Sequence, residues 1–428
     1  MIRQDELKVK VGETKSAVTG FGGVSALVGV AYQTGMADAL DSRLQQVKGR
    51  CRGYAPSASV VDLMLLLCAG GECIDDLAVL REDRGLRRLL GRRVMAPSTA
   101  HDFLRKAAGR GMAGLAAVRR QALGSMAAAR DMRRATLDCD AVFFASGVRE
   151  AQMSYLGERG WMPMVAYWAE LGAVVHDEFR HGNESPGSGA LRFLEEAVAQ
   201  LPDCVEQVRV RADSAWYIAE LLDWCHEHGY QFSVTADKDQ AVKELIAQVA
   251  ESQWVELEPE AEQREGHTPL RQWAHETVHT LNDSQYAYRM ILLRRERRQP
   301  DLLEGAYTYG AIITNMQMPL AAQIRWHRER CNSENHHKEL KHGLSLRVLP
   351  SGEFAVNAVW FRIGTLAYNL IAALKHLKLD ESWRYLTIKT IRFRLLRIPA
   401  LVVRHARTLW LRAPRGHPYL ATLRASLA

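Results

Sequence analysis

Four acidic residues stand where this chain could do chemistry: Asp138, Asp140, Asp213 and Glu334. In the run TLDCDAVFF, Asp138 and Asp140 are two residues apart, so on a strand both side chains leave from one face, and either can serve the active edge. Asp213 closes QVRVRADS, in which Val208 and Val210 mark a buried strand with an acid at its carboxyl end. Ligands bind at that edge in open α/β sheets, although an acid that merely starts a turn or caps a helix leaves the same signature. Carboxylates suit a hard divalent cation, which prefers oxygen ligands. Glu334 lies in WHRERCNSENHHKELKHGL, read as a helix over 323–341. At about 100° per residue, His327, Arg330, Glu334 and Lys341 fall within an arc of roughly 60°. One face thus carries a carboxylate, two cations and an imidazole, residue types that a solvated helix with scattered ion pairs also contains.

The elements that must position these residues are legible as changes of texture. Residues 1–134 read as a separate helical domain, with apolar residues at helical spacing over 58–67 and 73–90. Within it, Ser98 or Thr99 is a candidate cap for a basic helix of the groove-docking type. From Thr136 the chain turns to short apolar or alternating runs: TLDCDAVFF, MPMVAYWAEL and AVVHDEF, then a helix over 190–201, then QVRVRADS. A second helix over 216–228 and the strand YQFSVTAD follow. That order, three strands, helix, strand, helix, strand and a distant helix, matches ribonuclease H-like architecture. The interval from about 237 to 325 is too long for a plain loop. Its runs YAYRMILLRR and YTYGAIITN read as a β-rich insertion.

Composition narrows the function classes. The chain has 428 residues, 47% of them apolar, with a formal net charge of +7. Residues 81–134 hold 14 Lys/Arg against 4 Asp/Glu, and 381–428 hold 10 against 1, so the rest of the chain is acidic. Positive charge concentrated in two blocks suits surfaces that follow a phosphate backbone; solvated helix faces are the plain alternative. No apolar run is long enough to span a bilayer, because the one over 357–374 is interrupted by Arg362. The N-terminus MIRQDELKVK carries no secretory signal pattern, so the expected compartment is the cytoplasm. Seven scattered cysteines without a CxxC pair argue against a disulfide framework and a structural zinc site. His336, His337 and His342 offer imidazoles, but three acids fit hard-oxygen chemistry better than zinc.

His327, Arg330, Glu334 and Lys341 fit the pattern aromatic, two residues, Arg, three residues, Glu, six residues, Lys, and in this the chain resembles the DDE transposases of bacterial insertion sequences. LDCDA, EFRHGN, VRADSAWY, LKHGLSLRVLPSGEFAVNAVWF and GGECIDDLAVLREDRGLRRLLG are similar to the insertion-sequence family numbered 1380. The resemblance implies an α/β ribonuclease H-like catalytic domain over 135–350 with a β-rich insertion at about 237–325. A helical DNA-binding domain over 1–134 precedes it, and a basic helical region over 351–428 follows.

Residue by residue, the resemblance implies Asp140, Asp213 and Glu334 as catalytic metal ligands, with Asp138 the rival for the first position. Arg330 and Lys341 match phosphate-contacting positions, and His327 stands where the pattern usually has Tyr. The implied cofactor is Mg²⁺, two ions, with Mn²⁺ as a substitute. The implied partners are double-stranded DNA, both terminal inverted repeats and target, and further copies of the chain, as a homodimer or larger synaptic assembly at the bacterial nucleoid. A nuclease that never joins ends, and a DNA-binding protein without chemistry, are the competing classes. Trp254 and Trp273 in the insertion read as core aromatics before base-stacking ones.

Overall fold

Among the described residues, a two-residue strand, β1 (Val18–Thr19), precedes seven α-helices: α1 (Val24–Gln33), α2 (Met36–Arg43), α3 (Pro56–Ala69), α4 (Leu77–Glu82), α5 (Arg84–Leu90), α6 (Pro97–Arg110) and α7 (Met112–Ala129). The computed structural model describes residues 9–47, 53–258, 270–301 and 305–428. Helix α3 opens on Pro56, whose missing N–H costs nothing in a first turn, and stops at Gly70, which takes φ 100°. Helix α6 also opens on proline. Ala96 holds its cap position without a side-chain bond, so Ser98 and Thr99 lie inside the helix and do not cap it.

Six strands come next among the described residues: β2 (Arg134–Ala141), β3 (Phe144–Ala145), β4 (Gln152–Met153), β5 (Arg159–Trp161), β6 (Met164–Trp168) and β7 (Ala173–Glu178). Helix α8 (Ala190–Ala199), β8 (Gln207–Ala212), α9 (Ala219–Glu227) and β9 (Gln231–Thr235) follow. Strand β2 runs parallel to β8 and antiparallel to β6; β8 runs parallel to β9, and β7 pairs antiparallel with β6 at the edge. The expected order of strands and helices is therefore present, and the carboxyl ends of β2 and β8 are neighbours.

The interval read as a β-rich insertion holds α10 (Gln240–Gln248), β10 (Val255–Glu256), β11 (Gln272–His279), β12 (Tyr288–Asp301) and β13 (Gly305–Thr314). It does not form a sheet of its own. Strand β13 pairs with β9, and the main sheet runs β10-β11-β12-β13-β9-β8-β2-β6-β7. The stretch read as one helix over 323–341 is segmented into α11 (Leu320–Arg328), a 3₁₀ turn (Glu329–Cys331), α12 (Asn332–Lys338) and a π turn (Glu339–Gly343). The tighter and wider turns change the rotation per residue, so the 60° arc computed for a uniform helix does not hold.

Helix α13 (Phe354–Leu377) is buried continuously from Val356 to Leu374 and packs against α1, α3, α6, α7 and β7. A helix apolar all round belongs in an interior, and here it joins the helical region to the sheet. Its polar residues have defined partners. Asn369 bonds both the N–H and the C=O of Val174 at 2.7 Å, completing the edge strand β7. Arg362 and Arg119 share the buried carboxylate of Asp177. The boundaries expected at 134 and 351 thus do not separate cores: one apolar cluster runs through 24–127, the sheet and α13. The C-terminal region departs from the helical expectation too. After α14 (Ile388–Ile391) come β14 (Ala400–His405) and β15 (Thr408–Arg412), which form a sheet with β1, and then α15 (Leu420–Leu427). Among the described residues no helix is long and apolar enough to cross a membrane.

Candidate active site

Asp140 sits one residue before the end of β2, and Asp213 follows β8 directly, so the parallel pairing of these strands brings the two acids to one sheet edge. Asp213 takes extended backbone and accepts from Ala215 N at 3.0 Å, capping the turn Ser214–Trp216. The cap role anticipated as the plain reading is therefore real, and it engages one oxygen. Burial raises the Asp213 carboxyl above its ordinary range, and the negative charge of nearby Asp140 raises it further. Asp140 is also buried, which alone would raise it, but hydrogen bonding and charge from His337 and the Arg330 guanidinium outweigh burial and hold it low. Its Oδ2 lies 3.2 Å from His337 Nε2 and 3.8 Å from Arg330 Nη1.

The support beneath this edge is aromatic. Tyr167, opposite Asp138 on β6, is buried, and its hydroxyl is 3.3 Å from His337 Nδ1. His336 stacks on the Tyr167 ring and bonds the Tyr368 hydroxyl at 2.6 Å. Burial, followed by the neighbouring His337, pushes His336 down to about 4. These two histidines are thus fixed in place by tyrosines and an aspartate.

Glu334 stands on α12 one turn before His337 and is exposed, with no hydrogen bond or ion pair among the described residues. The structure brings together Asp140, Asp213 and Arg330, and leaves Glu334 on the neighbouring helix. Among the described residues, no three His, Cys, Asp or Glu side chains converge as a complete metal site. The donor chemistry still fits a hard dication: two carboxylates repel each other at one edge, and a cation between them relieves that repulsion.

Two expected DNA contacts are placed differently. His327 is 7% exposed, and both its nitrogens meet hydroxyls: Nδ1 to Ser233 Oγ at 2.9 Å and Nε2 to Thr235 Oγ1 at 3.0 Å. Burial pushes it down to about 4, helped by Arg330 and Arg211. It is a neutral interior side chain that locks α11 onto β9, so the reading of His327 as a phosphate contact is corrected. Lys341 lies in the π turn, half-buried, 5.6 Å from the Phe144 ring centre, and burial lowers its ammonium.

The residue that sequence reading passed over is Arg211. Arg211 bonds both oxygens of Asp138, at 2.7 and 2.9 Å, and reaches Trp326 O at 2.7 Å and Glu329 at 3.1 Å. Burial would discharge it, but its bonds to Asp138 and Glu329 hold it protonated. The pair ties β2 and β8 to the end of α11 at Trp326 and to the 3₁₀ turn that carries Glu329 and Arg330. Its signal was present as Arg209 and Arg211 alternating with valines in a strand otherwise read as buried. In the insertion, Arg294 lies 4.8 Å from the Trp254 ring centre and 4.6 Å from that of Trp273, so both aromatics pack against a guanidinium.

The sequence matches the family described as Transposase DDE domain group 1 over residues 3–428. No curated protein matches it. A solved cryo-EM structure described as a piggyBac transposase synaptic complex with hairpin DNA is similar at a TM-score of 0.48 and 8% identity. That alignment covers 90% of this chain and 82% of that one.

Proposed function

The chain belongs to the DDE transposase family, domain group 1, and on that premise we propose that Asp140, Asp213 and Glu334 are the ligands through which it cleaves and joins DNA. It is a DDE-type DNA transposase, an enzyme class that works with divalent metal ions. The finer assignments are ours: a ribonuclease H-like catalytic domain, kinship with the insertion-sequence family numbered 1380, and Mg²⁺ as the ion with Mn²⁺ as substitute. We further assign terminal inverted repeats and target as the DNA partners, and a homodimer or larger synaptic assembly. The observation that carries the site reading is the meeting of Asp140 and Asp213 at adjacent strand ends beneath Arg330.

Two bound divalent ions would supply an activated oxygen nucleophile and charge stabilisation on both sides of an in-line displacement. The protein's own residues do the rest. Asp140 is oriented by His337, which Tyr167 fixes from behind. Asp213 is oriented by its bond from Ala215 N. The planar Arg330 guanidinium can hold two oxygens of one phosphate beside the acids. Glu334 completes the set when α12 presents its outer face to DNA. Water first breaks the phosphodiester that frees a 3′ hydroxyl at the element end, and that hydroxyl then attacks a target phosphodiester at the same acids, releasing a target 3′ hydroxyl; excision requires that the second strand at each end be cut as well. Incubating the protein with labelled end DNA, target DNA and Mg²⁺ tests this. Joined products are expected, and cleavage without joining would instead mark a nuclease.

A further inference from the structure

The two basic blocks of the sequence meet in space. Helix α5 from the first block packs on β1 and β14. A Cβ on Gly85 would stand 2.7 Å from Thr19 N, so only glycine allows that approach. Arg88 Nη1 reaches across 314 residues of sequence to donate to Val402 O at 2.9 Å. Beyond this junction β14 and β15 run out as a two-stranded ribbon, exposed at every residue from Arg404 to Trp410. At its tip Ala406 and Arg407 take φ 45° and 66°, the left-handed pair of a tight hairpin turn usually built from Asn and Gly.

The register divides the ribbon into faces. Val402 opposite Leu411 turns toward the body, where Val402 is fully buried. Val403 opposite Trp410, His405 opposite Thr408 and Leu401 opposite Arg412 share the other face. Trp410 is 54% exposed there. Arg404, Arg407 and Arg412 are exposed and pair with no carboxylate among the described residues, and the sequence from Ser382 to its last residue contains no Asp or Glu. Arg404, opposite Leu409, leaves from the face of Val402, and Arg412 from that of Trp410; Arg84 and Arg87 of α5, the helix packed on β14, are exposed as well.

We propose that the β14–β15 ribbon, with α5 at its base, is a duplex-DNA-binding element of this transposase. A two-stranded ribbon fits the major groove. Its arginines neutralise backbone phosphates, and Trp410 supplies a flat apolar surface toward the groove. This rests on the transposase reading for its choice of partner, but not on any metal-site residue.

The test uses the full-length protein and duplex DNA in a salt titration. The combined variant Arg404→Ala, Arg407→Ala and Arg412→Ala is expected to lose about tenfold or more in affinity at moderate salt, and to flatten the dependence of log affinity on log salt by about 2 to 3. Trp410→Ala is expected to lower affinity without altering that slope. Lys243→Ala, an exposed cation on α10, serves as control and should change neither. A thermal midpoint matching the parent's confirms that the triple variant is folded. Unchanged affinity and slope would overturn the proposal, as would loss of self-association with DNA binding intact, which would make the ribbon a protein interface. Binding is read without metal, so a protein that binds through the ribbon but never cuts would fail the catalytic assignment and leave the ribbon standing.

Discussion

Asp138 and Asp140 leave the same face of the same strand two residues apart, yet their surroundings have opposite purposes. Asp138 is 1% exposed, and both its oxygens are taken by Arg211. Asp140 is 18% exposed at its side chain, accepts from Ala141 N at 2.9 Å, and is approached by His337 at 3.2 Å and Arg330 at 3.8 Å. Depth along β2 decides the outcome. One pleat further in, a carboxylate needs a dedicated cation because an unpaired buried charge is very costly. At the strand end, a carboxylate can be held by contacts that leave room for a ligand.

The sharpest way to break that contrast is to remove each charge and read both activity and stability. Asp140→Asn or Asp213→Asn is expected to lower metal-dependent cleavage by about a thousandfold or more, since a lost ligand removes several kcal/mol of charge stabilisation. Glu334→Gln should do the same, and all three should leave DNA binding and the unfolding midpoint near the parent's. A near-parental cleavage rate in any one of them would remove that residue from the site. Asp138→Asn should behave in the opposite sense. Stranding Arg211 without its partner is expected to cost about 3 to 5 kcal/mol of stability, measured by denaturant unfolding. Its activity should fall through loss of folded protein and through loosening of the helix that Arg211 fastens at Trp326 O and Glu329. A fully stable Asp138→Asn would dissolve the distinction between the two acids.

The same contrast separates His327 from the cations beside it. In the unfolded chain its imidazole takes up a proton below about 6.5, but in the fold only below about 4. Between those values the unfolded state binds more protons, so stability falls as pH falls. The interval is expected to cost about 3 kcal/mol. Unfolding midpoints followed across it should decline in the parent and decline less steeply in His327→Gln, which keeps a polar group without titrating, the remaining slope coming from other buried imidazoles such as His336. An equally steep decline in that variant would show that His327 does not titrate inside the fold.

Much of this was legible in the sequence. The order of strands and helices around Asp140 and Asp213 followed from alternation and apolar runs, because a sheet with one acid per strand end leaves that pattern. What escaped was long-range. Arg211 and Asp138 are 73 residues apart, and only the parallel register of β2 and β8 makes them partners. His327 shares the helical periodicity of surface residues, and its burial depends on Ser233 and Thr235 of a strand 92 to 94 residues earlier. The union of α5 with the β14–β15 ribbon is likewise set by chain crossings, which composition does not encode.

The smallest effects concern the two cations expected to touch DNA, which the structure makes unequal. Arg330 stands beside both aspartates and influences each of them, so its guanidinium is already where a phosphate bound at that edge must lie. Lys341 faces the Phe144 ring from a half-buried π turn, and burial makes its charge costly to keep. On pre-cleaved ends, Arg330→Ala is therefore expected to lower strand transfer about tenfold. Lys should restore little at that position, because an ammonium offers a point charge where a planar fork holds two oxygens. Lys341→Ala should cost only about two- to threefold, mostly through the lost contact with Phe144. Phe144→Leu should then reproduce the Lys341→Ala loss, and the double variant should add little to it. Equal, large losses from Arg330→Ala and Lys341→Ala, with Phe144→Leu silent, would mean that Lys341 leaves the ring and meets DNA as directly as Arg330 does.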